Sequence, residues 1–221
     1  MTPAHPTNTQ SGREAAPLRG DVYALLAALL AGPPVAGRLE QVRALGVLPG
    51  LPASLERSVG ELRTAALRTT TDAADREYNA LFVGLGRGEV VPYASWYAEK
   101  TLVGTPLVRL RRDLAALKIE RRSETGEPED HAAALCEAMM LLTAETVPDF
   151  RAAAFFKTHL APWLPAFFND LQKAPAADFY RAVGRLGEVF MGLENERLQD
   201  QYHKEEDRHE TLPPLQPQVE A

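Results

Sequence analysis

Apolar residues in this chain recur at helical spacing and nowhere alternate, and that period constrains the fold more than any other feature. Val22, Leu25, Leu26, Leu29 and Leu30 share one helical face. Leu55, Val59, Leu62 and Leu67 share a second, and Leu107, Leu110, Leu114 and Leu117 a third. No period-two run is long enough for a strand, and Val90-Val91 is too short to seed a sheet. There is no internal repeat. The expectation is an all-α, single-domain helical bundle.

The punctuation supports that reading. Asp21 is predicted to cap the first helix and Gly32-Pro33-Pro34 to stop it. A second helix is predicted over 36–45, ending at Gly46. Ser54 is expected to cap a third, and Thr71 or Asp72 a fourth that carries Tyr78, Leu81 and Phe82. Thr105-Pro106 is a good helix start, because proline suits the first turn. A long helix is expected from about 130 to 146, before Pro148. Phe155, Phe156, Leu160, Trp163, Leu164, Phe167 and Phe168 form an aromatic-rich helical pair interrupted by Pro162. A last helix opens near Asp178 and carries Val183, Leu186, Phe190 and Leu193. Residues 1–17 and 204–221 hold too little apolar surface to offset their ordering entropy. They are expected to be disordered ends around a helical domain at 18–203.

Charge narrows the function. The 221 residues carry a net charge of -6 and no long basic face, which argues against a nucleic-acid partner and suits a basic peptide. A single cysteine, Cys136, leaves no intrachain disulfide and fits a reducing compartment. The first residues lack the basic-then-apolar order of a secretory signal, and no apolar run reaches the roughly 18 residues that span a bilayer. A cytoplasmic protein with no stable membrane insertion is expected.

Two stretches carry chemistry. After Glu77-Tyr78 and Leu81-Phe82, three glycines fall within five residues, Gly84, Gly86 and Gly88. They permit positive φ and close backbone approach. The loop closes on Pro92-Tyr93-Ala94-Ser95-Trp96-Tyr97, where Ser95 is expected to cap a short helix. Rings with polar tips suit peptide binding, although completing the core is their commoner use. The second stretch is Glu127-Pro128-Glu129-Asp130-His131, read on spacing alone as a helix N-cap. His131 stands five residues from Cys136 and six from Glu137, so neither pair has the i, i+4 spacing of helical metal ligands. No metal and no cofactor are expected. The glycine loop lacks the Gly-Lys-Ser/Thr of a phosphate-binding loop. Arg111-Arg112 and Arg121-Arg122 look like paired export arginines, but no apolar stretch follows either pair.

Together these residues resemble the TorD/DmsD/NarJ family of molybdoenzyme maturation chaperones. Glu77-Tyr78, Leu81-Phe82, the glycine loop and Pro92-x-x-Ser95-x-Tyr97 are similar to the family's E-Y-x-x-L-F-x-G-x-G and P-x-x-S-x-Y. Glu127, Pro128, Asp130 and His131 are similar to its E-P-x-D-H segment, and His159 to Trp163 to its H-x-x-P-W. The likeness spans about residues 18–195. Gly84-Leu85-Gly86 and Val91 stand where many relatives have Gly-Pro-Gly and a further proline, and Tyr93 where some have tryptophan.

The resemblance implies a TorD/DmsD-type helical fold and a chaperone rather than an enzyme. It implies binding of the leader peptide and apo-form of a molybdopterin oxidoreductase catalytic subunit. The client would be held for cofactor insertion and, often, twin-arginine export. It implies leader-binding residues Pro92, Tyr93, Ser95, Trp96, Tyr97, Glu127, Pro128, Asp130 and His131, with Glu127 and Asp130 meeting the leader's arginines. Monomers or helix-exchanged dimers are both compatible with the connector at 120–128. Two rivals remain at this stage. One is a small helical metal-assisted hydrolase using His131 and nearby acids, and the other is a permanent structural subunit that docks through the aromatic loop.

Overall fold

The computed structural model describes residues 10–46, 50–84, 87–120, 126–144 and 149–210. Ten α-helices occur among them: α1 Gln10–Leu30, α2 Ala36–Arg43, α3 Ala53–Arg68, α4 Thr71–Tyr78, α5 Ala94–Glu99, α6 Thr105–Ala116, α7 Ala132–Leu142, α8 Asp149–Phe155, α9 Leu164–Lys173 and α10 Phe179–Glu210. Two π turns, Asn79–Val83 and Phe156–Leu160, extend α4 and α8. No strand occurs among the described residues, and the one isolated bridge joins Tyr93 to His131. The all-α expectation holds.

α10 is the central element and packs against α9, α3, α8, α4 and α1, while α1 lies along α7. The core between them holds Tyr23, Leu26, Leu62, Leu81, Met139, Phe156, Phe167, Phe168, Tyr180 and Leu186. A buried ion pair crosses it. Arg19 donates to both Glu194 oxygens at 2.7 and 2.8 Å, and Tyr23 Oη donates to Glu194 at 3.0 Å. The bidentate geometry fixes α1 against α10 in one register. Cys136 is buried in the same core as a free thiol, its pKa pushed up to about 12 by burial and then by Glu137.

Several local expectations differ from the structure. Asp21 lies inside α1, which begins at Gln10, because the apolar stripe from Val22 continues a helix already under way. α10 likewise continues to Glu210, beyond the expected limit at 203. The expected disorder of residues 1–9 and 211–221 lies outside the described residues. The N-caps of α3 and α4 are Pro52 and Thr70 rather than Ser54 and Asp72 or Thr71, with Thr70 Oγ1 accepting from Ala73 N at 3.2 Å. Leu67, expected inward, is exposed near the end of α3. α7 stops at Leu142, short of the predicted 146. Residues 121–125 of the connector also lie outside the description.

Glu77 anchors the fold at a point the sequence did not reveal. Its Oε1 accepts from Asp178 N at 2.8 Å and Tyr180 N at 2.6 Å, and its Oε2 from Phe179 N at 3.1 Å. It thereby satisfies the first free N–H groups of α10 with a negative charge at the positive end of the helix dipole. Tyr78 and Tyr180 complete the anchor, their hydroxyls donating to the carbonyls of Leu30 and Leu29 at 3.2 and 3.0 Å.

Candidate functional site

The glycine loop is a chain reversal built by sterics. Gly84 ends the first π turn at φ +61, where a Cβ would stand 2.2 Å from the Arg87 carbonyl oxygen. A Cβ on Gly88 would stand 2.3 Å from the Leu81 carbonyl oxygen. Val90 N donates to that carbonyl at 2.9 Å, so the returning chain lies directly on the turn it left. Gly86 lies outside the described residues.

The return delivers Pro92 and Tyr93 alongside the segment before α7. Ala94 N donates to the Asp130 carbonyl at 3.0 Å, and Ala132 N to the Pro92 carbonyl at 2.9 Å. Two segments far apart in sequence are thus locked backbone to backbone. Asp130 is fully buried, and its Oδ2 accepts from Ser95 N at 2.9 Å and Ser95 Oγ at 2.6 Å. Contrary to expectation, Ser95 is not the cap of α5; Tyr93 stands at that position. Ser95 sits in the first turn, and Asp130 supplies the acceptor from across the bridge.

The N-cap of α7 is His131, whose Nδ1 accepts from Ala133 N at 3.1 Å. That bond places the neutral ring's proton on Nε2. Burial lowers the pKa of His131, against the opposing pull of Glu127 and Asp130. The edge of the His131 ring meets Tyr93 with centroids 5.1 Å apart, and the Tyr93 hydroxyl donates to Glu127. Burial and that bond raise the Tyr93 pKa. The imidazole is thus a structural cap, as the spacing of 127–131 suggested, and among the described residues no group of three or more His, Cys, Asp or Glu side chains could hold a metal ion.

Of the nine expected site residues, Pro92, Tyr93, Ser95, Glu127, Pro128, Asp130 and His131 converge on this bridge. Trp96 and Tyr97 turn elsewhere. The Arg87 guanidinium lies 4.7 Å and the Lys100 ammonium 5.4 Å from the Trp96 ring. Tyr97 Oη donates to Asp170 of α9 at 2.9 Å, and its ring lies 5.4 Å from that of Trp163.

Beside the bridge runs an open groove of about 470 Å³. Its floor is apolar, from Leu114, Ile119, Ala134, Met140 and Leu141, and four glutamates line it: Glu120, Glu127, Glu129 and Glu137. Leu141 is 49% exposed there, an unusual position for a leucine beside a core helix. Glu129 pairs with Arg111 at 2.9 Å. Sequence reasoning did not assign the groove residues of α7 to the site. The signal was present, since Glu137 and Leu141 stand at i, i+4 outside the buried stripe of Leu135, Met139 and Leu142.

Comparison with known proteins gives a consistent picture. Residues 48–169 match the family described as Nitrate reductase delta subunit. The chain is 30% identical over 155 residues to the Chaperone protein TorD of Vibrio cholerae, covering 62% of this chain and 70% of that protein. It is 30% identical over 115 residues to the Probable Tat proofreading chaperone DmsD of Haemophilus influenzae, covering 50% of this chain and 54% of that one. A crystal structure described as a redox enzyme maturation protein from Archaeoglobus fulgidus shares the fold, with a TM-score of 0.55 at 17% identity over 79% of this chain and 94% of that chain.

Proposed function

We infer the function of this chain from one premise: it belongs to the nitrate reductase delta subunit family, together with the TorD and DmsD chaperones. It is a cytoplasmic chaperone that binds the N-terminal leader and apo-form of a molybdopterin oxidoreductase catalytic subunit. It holds that client for cofactor insertion and, in keeping with the name of the DmsD relative, for twin-arginine export. The task is recognition, with no bond made or broken.

The observation that carries this reading is the acid-lined apolar groove beside the Tyr93–His131 bridge. A leader with basic residues ahead of an apolar stretch has the complementary pattern. Its apolar side chains would cover Leu141, Met140 and Ile119, removing exposed apolar surface from water. Its cations would face Glu120 and Glu137, which steer and orient more than they tighten. Glu127, Pro128 and His131 form one wall of the groove, with Tyr93 packed against His131 and bonded to Glu127, while Pro92, Ser95 and Asp130 hold that wall in place. Trp96 and Tyr97 extend the surface along α5.

The test is affinity capture of the protein from its host's cytoplasm, with identification of bound proteins. Recovery of a molybdoenzyme catalytic subunit with its leader intact is the expected result. Recovery of only mature, cofactor-loaded enzyme would replace the chaperone with a permanent subunit. Glu137→Lys is exposed and remote from the core, so it should leave the melting temperature unchanged. It should weaken capture about tenfold, read by calorimetry with the identified leader.

A further inference from the structure

The turn between α5 and α6 exposes aliphatic side chains that the fold does not use. Leu102, Val103 and Val108 are 54%, 71% and 68% exposed. Val103 precedes the N-cap Gly104 and Val108 lies one turn into α6, two positions that neighbour each other at a helix start. Single exposed aliphatics are ordinary, but three gathered at one point are not. The turn is also held in shape. Lys100, at φ +57, closes α5 with its N–H donating to the Trp96 carbonyl at 3.0 Å. Thr101 Oγ1 donates to the Val103 carbonyl at 3.4 Å, and Thr105 N donates to the Glu99 carboxylate at 3.3 Å. The result is a fixed, protruding apolar knob.

Cations surround it. Residues 100–122 carry seven Lys and Arg against two acids, in a chain whose net charge is -6. Lys100 and Arg109 flank the knob and are exposed, and Arg112 stands one turn beyond Val108 on the same face, 73% exposed. The nearby acids are occupied, Glu99 by Thr105 N and Asp113 by Arg112 and His159. Of the groove glutamates, Glu129 is paired with Arg111, and Glu120 follows the far end of α6. That end is about 18 Å along the helix, outside the screening length of physiological salt.

We propose that this turn docks the protein on the surface of an anionic lipid bilayer. Leu102, Val103 and Val108 enter the boundary between headgroups and acyl chains, and Lys100, Arg109 and Arg112 meet the lipid phosphates. Shape and chemistry favour that occupant. A protruding knob needs a matching hollow in a protein partner, whereas a bilayer yields around it. A nucleic acid would engage the cations and leave the aliphatic tip in water. Three aliphatic side chains and three cations make a weak, reversible contact rather than a span, and no described helix is long and apolar enough to cross a membrane. None of these residues lines the groove, so the proposal does not rest on the client reading.

The experiment is co-sedimentation of the full chain with lipid vesicles. Vesicles of phosphatidylcholine mixed with phosphatidylglycerol should carry the chain down, and pure phosphatidylcholine should bind it about tenfold more weakly. Added salt should release it. Leu102→Ser with Val103→Ser, and separately Arg109→Gln with Arg112→Gln, should each weaken binding about tenfold. All four side chains are exposed, so the melting temperature should not change. Arg181→Gln with Arg185→Gln makes the same charge change on exposed positions of α10 and should leave binding as it was. No binding by the parent chain, equal binding to both vesicles, binding that survives either change at the turn, or equal loss in the two arginine pairs would overturn the proposal. If the parent chain ignores vesicles but self-associates in sedimentation velocity, and Leu102→Ser with Val103→Ser abolishes that, the knob meets a second copy and the lipid reading falls. Leader affinity should be unaltered in both turn variants, so this proposal and the client reading fail separately.

Discussion

Glu77 and Asp130 are both carboxylates that accept from the first turn of a helix to which they do not belong, and the contrast between them separates scaffold from site. Glu77 uses both oxygens, on three backbone N–H groups of α10. Asp130 uses one oxygen on Ser95 and keeps the other free of any donor among the described residues. A saturated carboxylate has done all it can by holding two elements together. A half-saturated one leaves an acceptor that the helix it holds does not use. The family motif containing Glu77 and Tyr78 is therefore architectural, while the segment around Asp130, proposed above as part of the client site, would serve architecture and recognition together.

Substitutions can break or sharpen that contrast. Gly84→Ala should be the most damaging, because it adds a side chain at positive φ and drives it into backbone. A loss on the order of 3 kcal/mol is expected in urea unfolding. A small loss would mean the loop is looser than its contacts imply. Glu77→Ala should cost about 2 kcal/mol, since it removes the acceptor of several helix-terminal N–H groups. Client affinity measured on the folded fraction should stay as it was. If affinity fell with an intact fold, the division between scaffold and site would fail.

Asp130→Asn should do the reverse. The amide oxygen can keep the Ser95 contact while its NH2 group occupies the place of the free oxygen. Stability should change by about 1 kcal/mol or less, but client affinity measured on the folded fraction should fall. The smallest effect concerns pH. An unfolded histidine takes a proton near 6.5, whereas burial keeps His131 neutral to lower pH in the folded chain. Below 6.5 the unfolded state therefore binds more protons, so stability rises with pH and is lost on acidification. His159 adds in the same direction. His131→Asn retains an N-cap acceptor without the titration. Its melting temperature should fall less steeply between pH 7 and 5 than that of the parent chain.

The helical fold was legible because burial writes itself into period: Leu55, Val59 and Leu62 are buried as their spacing requires. Helix ends were less legible. Asp21 has the chemistry of a cap, yet residues before it continue the helix, and no local signal in Asp21 reports what precedes it. The two site segments were recognisable from their residue types and family likeness, but not their contact. That Ser95 serves Asp130, and that Tyr97 leans on Trp163 rather than on Tyr93, depends on tertiary packing between residues tens of positions apart. Glu77 was readable only as the first letter of a motif, because its three partners lie about a hundred residues downstream.

The Arg19–Glu194 pair has a consequence for how the molecule comes into being. The partners are separated by 175 positions, so at ordinary synthesis rates Arg19 is made roughly 9–35 s before Glu194. During that interval Glu194 is not there for Arg19 to meet, and α1 has no α10 to lie against. Translation must reach well into α10 before the core between α1 and α10 can close. A protein proposed to guard an unfinished polypeptide thus spends its first seconds as one.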